Sequence, residues 1–216
     1  MSKINQILQK WPSHTIVTSE WLKSEGVYKQ LASAYQNSGW LERIGRGAYK
    51  RKGDTISWPG GLYALQELGQ LPVHIGGKTA LQLLGFSHYI HMKTQEKVIL
   101  WKKPKIRIPD WFLNYDWDVS LQIRSATLFS QQVNELTDVK IKEITVKTSC
   151  AEQAILEYLN DVPKYEGFDE AAYIMEGLPS LRPNVLQRLL ESCKSIKAKR
   201  VFMFLAEHYS HSWFQR

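Results

Sequence analysis

Residues 15–52 read TIVTSEWLKSEGVYKQLASAYQNSGWLERIGRGAYKRK, and the order of elements in this stretch decides the fold class of the N-terminal part. Thr18 is a side chain suited to accept the free N–H groups at a helix start, so a helix is expected from Thr18 to Glu25. Gly26 supplies the tight turn, because only glycine takes a left-handed conformation cheaply. A second helix is expected from Tyr28 to Ser38, stopped by Gly39. Trp40 to Lys52 alternates enough to form two strands joined at Gly45-Arg46-Gly47. Upstream, Ile4, Ile7, Leu8 and Trp11 recur at the spacing of one helix face, and Pro12 ends that helix. Thr15-Ile16-Val17 then reads as a short strand able to pair with the hairpin. Helix, strand, helix, tight turn, helix and hairpin is the order of a winged helix-turn-helix.

Side-chain chemistry within this stretch points to DNA. Trp21 and Leu22 are expected to face inward from the first of its helices, and Leu31, Ala34 and Tyr35 from the second. That leaves Tyr28, Lys29, Gln30, Ser33 and Gln36 facing outward, with small Ala32 allowing close approach to a groove. Gln and Lys hydrogen-bond base edges, whereas Ser, Tyr and Lys hold phosphates. A plain polar helix face is the other reading of the same residues. On the hairpin, Leu41 and Ile44 are the expected anchors and Tyr49 the expected filling of its inner face. Arg43, Arg46, Lys50, Arg51 and Lys52 crowd into ten residues, and each cation that meets a phosphate adds salt-dependent affinity.

Composition agrees with a globular nucleic-acid binder. The chain has 216 residues, 44% of them hydrophobic and 23% charged, with a formal charge of +7. Residues 1–55 hold nine Lys or Arg against four acids, residues 56–147 eleven against eight, and residues 148–216 eight against nine. The excess is concentrated in the first quarter, although a charge run is as often a solvated face. No apolar run approaches the ~18–20 residues that span a bilayer, and MSKINQILQKW lacks a signal-peptide core. A cytoplasmic protein with no membrane partner is expected. Cys150 and Cys193 show no CxxC spacing and are expected reduced, within helices, with neither a disulfide nor a zinc site.

The remaining chain reads as a larger α+β domain over residues 56–216, following a DNA-binding domain over residues 1–55. Ser57-Trp58-Pro59-Gly60-Gly61 reads as a loop, followed by a helix with Leu62, Leu65 and Leu68 as its stripe. Strands are expected at Lys97–Trp101, Ser120–Arg124 and Ile141–Lys147. Trp111, Phe112, Tyr115 and Trp117 read as buried anchors. Lys102, Lys103, Lys105 and Arg107 form a second basic cluster, readable as an extension of a DNA or RNA face or as a solvated loop. The last third is helical: Ser149 and Glu152 have capping-box spacing, Asp169 is expected to cap a helix ending at Gly177, and Pro183 opens another with Val185, Leu186, Leu189 and Leu190 inward. A last helix, Lys199–Tyr209, is rich in Phe and Met and reads as core, with a helical interaction surface for toxin neutralisation as the other reading.

Catalytic patterns are weak. Gly77-Lys78-Thr79 invites a nucleotide-binding reading, but a P-loop needs glycine at 72, where Pro72 stands. A glycine-permitted helix start with Thr79 near the cap is the plainer reading, and Lys78 is then available to a DNA phosphate. Asp116-x-Asp118 reads as a turn. His88 with His91, and His208 with His211, have i,i+3 spacing, yet no third ligand accompanies either pair. No enzyme, cofactor or metal is expected.

Three stretches carry a resemblance. Thr18–Leu22 with Leu41–Tyr49, His74-Ile75-Gly76-Gly77-Lys78-Thr79-Ala80-Leu81-Gln82-Leu83-Leu84-Gly85, and Lys199–Glu207 occur in an order that resembles the AbiEi-family antitoxins. That resemblance implies a bifunctional regulator of an abortive-infection toxin–antitoxin operon. Its N-terminal domain would bind inverted repeats in its own promoter and act as a repressor, as a monomer or weak dimer binding cooperatively on DNA. Its C-terminal domain would counter a nucleotidyltransferase-like AbiEii toxin without a stable complex. Family members are expected to continue beyond a stretch like Ser212-Trp213-Phe214, so a chain ending at Arg216 reads as a truncated or a short member. The alternative class is a winged-helix module for protein or RNA contacts, without operator-specific DNA binding.

Overall fold

The computed structural model describes residues 2–86, 96–130 and 133–214. It is a mixed α+β structure with two sheets, one of three strands and one of five. Its contacts separate into two compact units: residues 1–72 with 105–119 and 140–146, and residues 73–104 with 120–139 and 147–216.

The first unit begins with α1 (Lys3–Lys10), β1 (Val17–Thr18), α2 (Ser19–Ser24), α3 (Lys29–Asn37), β2 (Leu41–Gly45) and β3 (Ala48–Arg51). The punctuation expected of the sequence is in place. The Thr18 side chain accepts from Trp21 N–H at the start of α2. Gly26 and Gly39 take positive φ at the ends of α2 and α3. The strands pair antiparallel in the order β1-β3-β2, with Val17 opposite Tyr49. Ile7, Trp11, Val17, Leu22, Val27, Ala32 and Leu41 form one buried cluster, with Trp21, Leu31, Tyr35 and Tyr49 packed against it. Helix α3 keeps Leu31 and Tyr35 against the core as expected, but Ala32 takes the place expected for Ala34. Ala32 lies in the core and Ala34 is exposed, so Ala32 has no part in a groove contact.

The stretch WPGGLY is a helix, not a loop. Helix α4 (Trp58–Tyr63) starts with Pro59 in its first turn, where the missing N–H costs nothing, and continues into a π-helical turn, Ala64–Leu68. Its glycines are there for close approach. A Cβ on Gly60 would lie 2.1 Å from the His14 carbonyl oxygen, and one on Gly61 would lie 2.4 Å from the Trp117 ring. Trp111 and Phe112 of the short helix α6 (Asp110–Leu113) and Trp117 are buried as expected, with the Trp111 side chain against Gly45.

The second unit contains β4 (Val73–Ile75), α5 (Gly77–Leu83), β5 (Lys97–Lys102), β6 (Ser120–Ser125), β7 (Leu136–Ile141) and β8 (Ile144–Ser149), although residues 140–146 at the β7–β8 turn group with the first unit. The five strands run in the order β6-β5-β4-β8-β7, with β4 antiparallel to β5 and parallel to β8. Four helices follow: α7 (Ala151–Asp161), α8 (Phe168–Glu176), α9 (Pro183–Ser192) and α10 (Ile196–Tyr209).

Helix α7 is the axis of this unit and is buried nearly all round, with Ala154, Ile155, Leu156 and Leu159 fully enclosed. A helix buried on every face must satisfy its polar side chains internally. The expected capping box is absent for that reason. Ser149 Oγ donates to Glu157 at 2.9 Å, and Glu152 turns to Arg182, leaving Cys150 as the N-cap. Cys150 and Cys193 are buried free thiols at helix ends instead of within helices. Asp169 sits in the first turn of α8, whose N-cap is Gly167. In α10, Phe202 and Leu205 are core, but Met203 and Phe204 face outward, so the reading of this run as core holds for only part of it.

Candidate nucleic-acid interface

Helix α3 and the β2–β3 hairpin lie side by side in the first unit, both backed by the cluster around Trp11 and Leu22. Because the core takes Ala32, with Leu31 and Tyr35 packed on it, the other side of α3 is left to solvent. Tyr28, Lys29, Gln30 and Ser33 are exposed there and Gln36 is half-buried. Tyr28 is the N-cap of α3 and is 59% exposed, which leaves an aromatic residue open to solvent at the helix start. No side-chain hydrogen bond or ion pair engages Lys29, Gln30 or Ser33 among the described residues.

The hairpin cations divide into two sets. Arg46 is exposed at the turn, where the carbonyl of Gly47 accepts from Ser19 N–H at 2.8 Å and so ties the turn to the start of α2. Arg43 is exposed and its Nε donates to the Gly45 carbonyl at 3.0 Å, which holds the side chain along the strand. Lys52 is also exposed, with its ammonium beside Gly39.

Lys50 and Arg51 face the protein instead. Lys50 pairs with Glu42 at 3.3 Å and donates to the Asp54 carbonyl at 3.0 Å. Glu42 stands directly opposite Lys50 in the strand register, a neutralising partner that counting outward from the Gly45–Gly47 turn would have found. The Arg51 guanidinium donates to the Leu8 and Trp11 carbonyls and lies 5.4 Å from the centre of the Trp11 ring. These carbonyls close the C-terminal end of α1, where the backbone has no helical donors left. Lys78 belongs to the second unit and pairs with Glu170 at 2.6 Å and Glu166 at 3.7 Å. The exposed set is therefore Tyr28, Lys29, Gln30, Ser33, Arg43, Arg46 and Lys52.

With this geometry established, two family descriptions match. Residues 1–92 match the N-terminal domain of the AbiEi antitoxin transcriptional regulators, and residues 95–216 match the transcriptional regulator, AbiEi antitoxin, of type IV toxin–antitoxin systems. The chain belongs to the AbiEi antitoxin family. No curated protein matches it. Among solved structures, the crystal structure of the RV2827C protein from Mycobacterium tuberculosis is similar in fold. It shares 16% identity with a TM-score of 0.58, and the match covers 98% of this chain and 79% of that one.

The AbiEi family is one of regulatory antitoxins, and the second unit of this member contains polar groups that hold structure. Gly77-Lys78-Thr79 starts α5 from Gly76, and the Gly77 N–H donates to Glu157 at 2.9 Å. Glu157 also accepts from Ser149 and Gln153 and lies 3.1 Å from His74 Nε2, so the buried carboxylate is fully engaged. Thr79 is not the cap; its hydroxyl accepts from Ile99 N–H at 2.9 Å and fastens α5 to β5. Asp116 accepts from Asp118 N–H, a turn as expected. His211 lies 2.8 Å from the Met175 carbonyl, while His88 and His91 fall outside the described residues. A cleft of about 330 Å³ beside Cys150 is lined by Arg182 and Glu135, but both are already paired, with Glu152 and Arg188. Burial pushes the Cys150 thiol up to about 12, the opposite of what a nucleophile needs. Among the described residues no helix is long and apolar enough to cross a membrane.

Proposed function

We propose that the first unit is a winged helix-turn-helix that binds inverted repeats in the promoter of its own operon. In this reading the chain is a repressor as well as the antitoxin of a nucleotidyltransferase-like toxin, which it counters without a stable complex. The observation that carries the reading is the outward face of α3. Lys29, Gln30 and Ser33 are exposed and without partners among the described residues, next to a hairpin whose tip presents Arg46. A helix of this kind supplies base-edge donors and acceptors, and the tip cation supplies phosphate contact. Membership in a family of antitoxin transcriptional regulators supports the same assignment.

The test is titration of the full chain onto a duplex from its own promoter, and onto a scrambled duplex, at several salt concentrations. A repressor binds the promoter repeat selectively, and its affinity falls by ~0.9 in log K per log unit of salt for each phosphate neutralised. Equal affinity for both duplexes would remove operator recognition and favour a general protein- or RNA-contact module.

A further inference from the structure

Helix α10 presents one face to the core through Ala198, Phe202, Leu205 and Ala206, and the opposite face carries an unusual load for a surface. Ile196 is 63% exposed, Phe204 61% and Met203 46%, and Arg200 and Glu207 lie on the same side. Positions 196, 200, 203, 204 and 207 follow the i, i+4, i+7, i+8, i+11 spacing of a continuous helical stripe. Phe168 of α8 adds to it, 44% exposed with its ring 6.3 Å from that of Phe204. Neither Arg200 nor Glu207 makes an ion pair among the described residues, whereas Lys197, at the edge of the stripe one heptad before Phe204, is held by the carbonyls of Asn160 and Val162.

The stripe is complementary to itself. Two copies of α10 laid antiparallel about a two-fold axis between residues 203 and 204 bring residue i of one opposite residue 407 minus i of the other. Met203 then meets Phe204, and Arg200 meets Glu207, each contact occurring twice as a two-fold interface requires. Arg200 and Glu207 are seven residues apart, ~10 Å along the helix at 1.5 Å per residue, so each charge pair stands ~5 Å from the axis. We propose that the chain pairs with a second copy of itself through this face of α10. One helix face and Phe168 make a small, concentration-dependent interface. The inference goes beyond the DNA reading and stands without it.

Sedimentation equilibrium of the full chain tests the pairing, run from roughly 1 to 300 µM to bracket a weak interface. The mass should rise from 25.0 kDa toward twice that value. Arg200→Glu and Glu207→Arg should each weaken association by about tenfold, since each places like charges together twice. The double variant Arg200→Glu/Glu207→Arg should return the wild-type constant to within about threefold, because both pairs are rebuilt in reverse. A mass fixed at 25.0 kDa throughout overturns the proposal, and so does a dimer indifferent to either single variant or a double variant that stays dissociated.

Discussion

Arg51 donates its guanidinium to the Leu8 carbonyl at 2.7 Å, which fastens the last strand of the hairpin to the C-terminal turn of α1. The side chain also lies against Trp11. A cation that reads as a phosphate contact in sequence is thus occupied in holding the unit together. Arg51→Ala should lower the stability of the first unit by ~1–3 kcal/mol, the cost of leaving buried carbonyls unpaired. Below its unfolding temperature, the same variant should bind promoter DNA with the wild-type salt slope. A slope reduced by about one unit would mean that Arg51 contacts phosphate after all.

Arg46 and Lys78 form the complementary pair. Arg46 is exposed at the hairpin turn, while Lys78 is held by Glu170 and Glu166 in the other unit. Arg46→Ala should leave thermal stability within ~0.5 kcal/mol, as for most surface changes, and reduce the salt slope of DNA binding by about 0.9. Lys78→Ala should do the reverse, with an unchanged slope and a loss of about 1 kcal/mol from two carboxylates left without their cation. Binding isotherms at four salt concentrations, paired with thermal melts, separate the two outcomes.

Glycines in this chain serve two different needs, and alanine substitution should tell them apart. Gly53 and Gly85 have positive φ and nothing within 4 Å of a would-be Cβ. Replacing either by Ala should cost only ~1–2 kcal/mol of backbone strain. At Gly76 a Cβ would lie 2.2 Å from Glu157 Oε2 and 2.5 Å from Trp101, and at Gly60 it would meet the His14 carbonyl. Both sites are walled by groups that are buried or part of the backbone. Gly60→Ala and Gly76→Ala should therefore each cost more than about 3 kcal/mol, beyond the usual range for an overpacked site. Chemical denaturation of the four single variants measures this directly.

The same distinction explains how much was legible from residues alone. Elements of the first 52 residues follow from local signals: Thr18 capping α2, positive-φ glycines at 26 and 39, and a proline after α1. The WPGG helix was not legible, because its glycines answer to His14 and Trp117, which are far away in sequence. The apparent capping box failed similarly. Ser149 and Glu152 have the right spacing, but Glu157 and Arg182 compete for them and win inside a buried helix. Within the site, the exposed residues of α3 were legible from periodicity. The pairing of Lys50 with Glu42 could be counted outward from the hairpin turn, whereas the capture of Arg51 by the α1 carbonyls depends on tertiary packing. In α10, a run rich in Phe and Met reads as core from composition, yet the 3.6-residue period sends Met203 and Phe204 outward while Phe202 and Leu205 go in.

Glu152 ties the second unit to pH. Its carboxylate is buried at the start of α7, and burial alone would raise its pKa. Hydrogen bonds from the Arg182 side chain and backbone, and from Cys150, outweigh that and hold it at about 2, against an ordinary 4.5. The backbone N–H of Arg182 lies 2.7 Å away and its guanidinium closes a second and third bond, which pins the entry to α9 onto α7. Because the folded-state value lies below the unfolded one, the stabilisation is fully present above about pH 4.5 and is lost as pH falls toward 2. The linkage amounts to ~2–3 kcal/mol at neutral pH, with the upper end discounted for the solvent exposure of Arg182. Glu152→Gln should therefore be less stable than the parent by about that much at pH 7, and the gap between the two should close between pH 4.5 and 2. Denaturant midpoints measured at pH 7, 4.5 and 3 provide the check; a gap that stays constant across them would show that Glu152 contributes through packing and not through its charge.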